Sequence, residues 1–138
     1  MATADSRPGV LFLCVHNAGR SQMAAGFMRH LVGDQVEVFS GGSEPADAVN
    51  PTAVAVMAER GIDIGDAIPR PWTDDGIRTA DVVVTMGCGD TCPHFPGKTY
   101  LDWEVEDPSE KSVEEIRAIR DDIEARVLDL IGKLGVSR

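Results

Sequence analysis

Cys14 and Arg20 stand five residues apart, and Ser21 follows directly. A thiolate at Cys14 is a nucleophile, and the planar guanidinium of Arg20 can hold two oxygens of a tetrahedral anion. The intervening residues, Val15-His16-Asn17-Ala18-Gly19, are short enough to form a tight loop. Before them lies an apolar run, Val10-Leu11-Phe12-Leu13; after them Met23, Ala24, Phe27, Met28 and Leu31 recur at helical spacing. Buried strand, loop and helix in that order make the loop amides and the helix N-terminus converge on one point, where an oxyanion binds. The same dipoles favour the thiolate form of a cysteine at the loop's start. Residues 15–21 are therefore the expected oxyanion contacts, with Asn17 and Gly19 expected to take the positive φ a cradle needs. The alternative is a buried cysteine ending a strand beside a helical arginine; the strand-to-helix context weighs against it.

Further along, Cys88 and Cys92 are separated by three residues, and Asp107 precedes Pro108. A loop of that size can bring two sulfurs toward the ~5.5–6 Å Cα separation a disulfide prefers. Read as a metal site, Cys88, Cys92 and His94 lack a fourth ligand at a sensible spacing, so no zinc is expected. Asp107, held extended by the proline, could serve as a general acid, or Asp-Pro could be an ordinary turn. His16 is read as shaping its loop, and His30 as a surface residue late in the helix. Trp72 and Trp103 could rim a pocket or pack in the core.

The positioning elements alternate. The first strand and helix run from about Gly9 to Val32, with Gly33 as the stop. Val36–Ser40 reads as a second strand and Gly41–Pro45 as a loop whose glycines either admit close backbone approach or form a simple turn. Asn50-Pro51 starts a helix whose inward face is Val54, Met57 and Ala58. Thr73 caps a short helix through Arg78, Ala80–Met86 is a central strand, and Thr99–Leu101 is a short fourth one. Ser112 and Glu115 form a capping box for a last helix carrying Ile116, Ile119, Ile123, Val127, Leu130 and Leu134, which stops at Gly135. This order specifies an α/β protein: one domain over 1–138, a four-stranded parallel sheet with helices on both faces and functional loops at the strands' carboxyl ends.

The chain has 138 residues and a net charge of −10, from 13 basic and 23 acidic side chains. That balance excludes a nucleic-acid or anionic-membrane surface. No membrane span or secretory leader is evident, so a cytoplasmic location is expected. An odd count of three cysteines fits redox chemistry rather than a structural disulfide framework.

The run Cys14-Val-His-Asn17-Ala-Gly-Arg20-Ser21-Gln22-Met23-Ala24, with Thr85-Met86-Gly87-Cys88, Cys92-Pro93 and Asp107-Pro108, resembles the low-molecular-weight protein tyrosine phosphatase superfamily, and within it the arsenate reductases. The resemblance implies that fold, arsenate as substrate, Cys14 as nucleophile, Arg20 as anion clamp and Asp107 as acid. It further implies a relay in which Cys88 and then Cys92 carry the disulfide to thioredoxin as external reductant, with no bound cofactor, in a monomer or homodimer. The close Cys88–Cys92 pair resembles actinobacterial members, some of whose relatives use mycothiol and mycoredoxin with Cys14 as the sole essential thiol. Some members bind potassium through an acidic residue where this chain has Ala25, so no potassium site is expected. A protein tyrosine phosphatase would use Cys14, Arg20 and Asp107 alike and leave Cys88 and Cys92 idle; Ser109 and Glu110 stand where such phosphatases commonly carry tyrosines. A thiol-based arsenite sensor would need a partner surface that so acidic a chain lacks.

Overall fold

Six apolar residues buried on both sides make β1 (Gly9–Cys14) the centre of the molecule. In a computed structural model, which describes residues 8–86, 97–106, 108 and 111–136, it lies between β2 (Glu37–Gly42) and β3 (Val82–Met86). β4 (Thr99–Asp102) completes a four-stranded sheet of order β2-β1-β3-β4, with every pairing parallel. Parallel neighbours require crossovers, here carried by α1 (Arg20–Val32), α2 (Pro51–Ala58) and α3 (Asp74–Thr79), and α4 (Val113–Leu134) follows β4. The chain leaves β1 toward β2 and then crosses back to β3, so the carboxyl end of β1 is the switch point of the sheet.

The two faces are unequal. Side chains alternate along β1, so Val10, Phe12 and Cys14 point into the large core, where α1 and α2 pack against α4. Trp103 joins that core, its ring centroid 5.9 Å from Phe12. Leu11 and Leu13 face a smaller cluster closed by Ile77 of α3, with Phe39, Trp72 and Tyr100 at its margin. Helices thus lie on both faces, the second layer being one short helix among the described residues.

The expected starts and stops are realised. The Asn50 side chain accepts from Thr52 N and Ala53 N, the Thr73 hydroxyl accepts from Gly76 N, and Ser112 and Glu115 form a reciprocal capping box. Two expectations are corrected. β2 does not stop at Ser40: Gly41 and Gly42 continue it and pair with Leu13 and Cys14. The buried face of α2 is Ala53, Val56 and Met57, the expected stripe turned by one residue, which leaves Ala58 exposed.

α2 is fastened to α4 by charge. Glu59 accepts from Arg117 at 2.8 Å and from Arg120 at 2.7 Å, and Arg120, itself buried, also donates to the Val56 carbonyl. Arg60 meets Asp121 and Glu124. The two bonds from arginine hold the Glu59 carboxyl down at about 2. Because its folded pKa lies below the unfolded range near 4.3, Glu59 contributes stability that is complete above that range and lost as pH falls through about 2. Urea midpoints for wild type and Glu59→Gln should differ most at pH 5 and converge toward pH 2. An equal gap at both pH values would exclude the coupling.

Candidate active site

The loop after β1 is tied from outside by the segment after β2. Glu44 N donates to the Val15 carbonyl at 2.8 Å, Ala46 N to His16 at 3.0 Å and Asn50 N to Ala18 at 2.8 Å. In a planar trans peptide the N–H opposes its carbonyl. The amides of His16, Asn17 and Gly19 are therefore turned away from that segment. At the other end Gly19 caps α1 with no side-chain hydrogen bond, and the first turn of α1 contains no acidic residue. Its leading amides thus have no side-chain cap. His16 braces the loop from outside through Nδ1 and the Glu44 carbonyl, 3.0 Å apart.

Inside the loop a polar network fixes the cysteine. Cys14 is buried, with its sulfur 2.9 Å from Ser21 Oγ. Asn17 Nδ2 donates to the same hydroxyl oxygen at 2.7 Å. The Ser21 hydroxyl thus lies between the Asn17 amide and the Cys14 sulfur, and it donates to the sulfur when Cys14 is a thiolate, which can only accept. Asn17 is held in turn: its Oδ1 accepts from Gln22 Nε2 at 3.1 Å and from Arg70 N at 3.0 Å, and its carbonyl accepts from Gln22 at 3.1 Å. Those two donors identify the oxygen of the amide and leave Nδ2 for Ser21.

Asn17 takes φ 50°, as expected. Gly19 does not: its φ is −138°. Glycine is needed there for space, since a Cβ would lie 2.5 Å from Pro108 Cγ. Gly42 is demanded more strictly, because a Cβ would come within 2.6 Å of the Val15 carbonyl oxygen, a backbone atom. Its close approach resolves the choice for the Gly41–Gly42 segment.

Arg20 opens α1, is 7% exposed and donates from Nη1 to the Val105 carbonyl at 3.3 Å. It thereby joins the loop to the segment after β4. Cys14, His16, Ala18, Gly19 and Arg20 line a cavity of about 40 Å³, with Asn50 and Pro108 across from them. Asp107, Cys88, Cys92 and His94 lie outside the described residues. Asn50 was legible as a helix cap but not as a wall of this cavity. Gln22 stood within the Ser-Gln-Met-Ala run without an evident task. Ala25 is a fully buried methyl in α1 and offers no metal ligand. Among the described residues no three His, Cys, Asp or Glu side chains group to hold a metal.

A buried cysteine at the switch point of a four-stranded parallel sheet, under a loop leading into a helix, is the architecture of a phosphatase-type α/β protein. Residues 9–137 match the low molecular weight phosphotyrosine protein phosphatase family. The chain belongs to that family, and to its arsenate-reductase branch. An arsenate reductase of Shouchella clausii is 41% identical over 88% of this chain and 94% of its own length. The glutaredoxin arsenate reductase of Synechocystis is 38% identical over 91% and 97%. The solved structure of a Corynebacterium glutamicum thioredoxin-dependent arsenate reductase superposes with a TM-score of 0.84 at 49% identity, over 94% of this chain. This chain spans 62% of that longer one.

Gly42→Ala should force β2 off the loop. We expect a loss of about 1–3 kcal/mol in stability by urea unfolding, as for an overpacked interior, and at least tenfold weaker phosphate binding by calorimetry. Unchanged phosphate affinity would show that this contact does not shape the loop.

Proposed function

We propose that this chain reduces arsenate to arsenite, with Cys14 as the nucleophile. The observation that carries the reading is the Ser21 hydroxyl, held by Asn17 at 2.9 Å from the Cys14 sulfur, beneath a loop of outward-tied carbonyls. Arsenate sits against the amides of residues 15–21 and the guanidinium of Arg20. Cys14 attacks arsenic, and Asp107 protonates the departing oxygen, which leaves as water. The link from Arg20 to Val105 supports that role, since it fastens the anion clamp to the segment that leads to Asp107.

Cys88 then attacks the Cys14 sulfur. The sulfur–arsenic bond breaks, its electron pair reduces As(V) to As(III), and arsenite departs from a Cys14–Cys88 disulfide. Cys92 attacks Cys88, freeing Cys14 and leaving a Cys88–Cys92 disulfide, which thioredoxin reduces by exchange. The 49% identical neighbour that is thioredoxin-dependent supports this reductant. The relative named for glutaredoxin makes a second reductant worth testing beside it.

The deciding assay is arsenate-dependent NADPH oxidation by wild type and Cys92→Ser, with thioredoxin and thioredoxin reductase. Turnover in wild type that falls at least 100-fold in the variant is the expected result. Turnover only with mycothiol and mycoredoxin, or only with glutathione and glutaredoxin, would overturn the relay and leave Cys14 as the essential thiol. Hydrolysis of an aryl phosphate without arsenate turnover in any system would overturn the reductase reading.

A further inference from the structure

Behind the anion loop, between α1, β2 and the segment 67–70, lies a second cavity of about 230 Å³. It shares no lining residue with the cavity over Cys14. Gln22, Arg29, Ser40, Ile68 and Arg70 are among the residues that line it. The arginines are its unusual feature. Arg60, Arg78, Arg117, Arg120 and Arg126 each reach a carboxylate. Arg29 and Arg70 make no ion pair among the described residues. Arg29 donates to the Val38 carbonyl at 3.1 Å, and its pKa is lowered by burial and by the charge of Arg70. Asp63, which lines the adjoining cavity with Arg29, spends a carboxylate oxygen on Gly65 N at 2.8 Å.

Two guanidiniums facing one cavity repel each other, and in a chain of net charge −10 a neutralising side chain would be easy to supply. A tetrahedral anion seated between them turns that repulsion into two charge-assisted contacts. Ser40 adds a hydroxyl donor from β2. We infer that this cavity is a second oxyanion site, which takes a sulfate- or phosphate-like dianion between Arg29 and Arg70. The site is tied to the anion loop: Gln22 lines it and bonds Asn17, and the backbone of Arg70 bonds the same asparagine.

The test is a sulfate titration followed by 1H–15N spectra, reading the Nε signals of Arg29 and Arg70 against the backbone amides of residues 15–20. Wild type should show two binding curves with different midpoints. Arg70→Gln keeps the backbone bond to Asn17; it should weaken the arginine-site curve at least tenfold and leave the loop curve within twofold. Arg29→Gln should behave alike. The proposal fails if the arginine signals move no more with sulfate than with sodium chloride at equal ionic strength. It fails equally if they follow the loop midpoint in wild type and in both variants.

Discussion

The amide of Asn17 is the interaction on which the site depends. It is fully buried, so each of its polar atoms must find a partner within the protein. One end meets Gln22 and the Arg70 backbone; the other meets Ser21. Because Gln22 and the Arg70 amide fill the acceptor end, the donor end is committed to the Ser21 oxygen, which it holds 2.9 Å from the Cys14 sulfur. Among the described residues no buried side-chain polar atom is left without a partner. A half-satisfied network of this kind would be worse than an apolar one. The positive φ of Asn17 is strain accepted at this one position, since it turns the side chain under the loop.

The sheet supplies what the network cannot. Cys14 ends β1 in register with Gly42 on one side and Met86 on the other. That register brings the chain after β2 alongside the loop, where three amides capture three carbonyls. The same segment leads into α2, whose cap residue Asn50 walls the cavity and whose far end is clamped to α4 by Glu59 and Arg60. One continuous segment thus joins the loop's outer hydrogen bonds to the α2–α4 clamp.

What the sequence made legible follows from periodicity and local chemistry. A continuous apolar run located β1, helical apolar spacing located α1 and α4, and Asn50, Thr73 and Ser112 announced helix starts through side-chain caps that act within three residues. The Cys14-to-Ser21 run was readable because strand, loop and helix are contiguous. What was not legible is long-range. Glycine at position 19 looked like a φ residue, yet it answers to Pro108, 89 positions later. Gly42 looked like part of a turn, yet it is the last rung of β2, pressed on Val15. Asn50 faces the loop because β2 and β1 are neighbours, a fact of topology rather than of local pattern.

An acidic chain that binds an acidic substrate must do so at short range. With a Debye length of about 8 Å at physiological salt, the distant carboxylates are screened, while amides and a guanidinium in contact with the ion are not. A cradle built this way measures charge and tetrahedral shape, and phosphate and arsenate share both. The cavity of about 40 Å³ excludes bulk rather than choosing the central atom. Under the proposed relay, selection falls to the second thiol. Attack on the Cys14 sulfur is productive only if the central atom can accept the departing electron pair. Arsenic(V) does so readily and phosphorus(V) does not, so the cysteines would complete a specificity that the loop only begins.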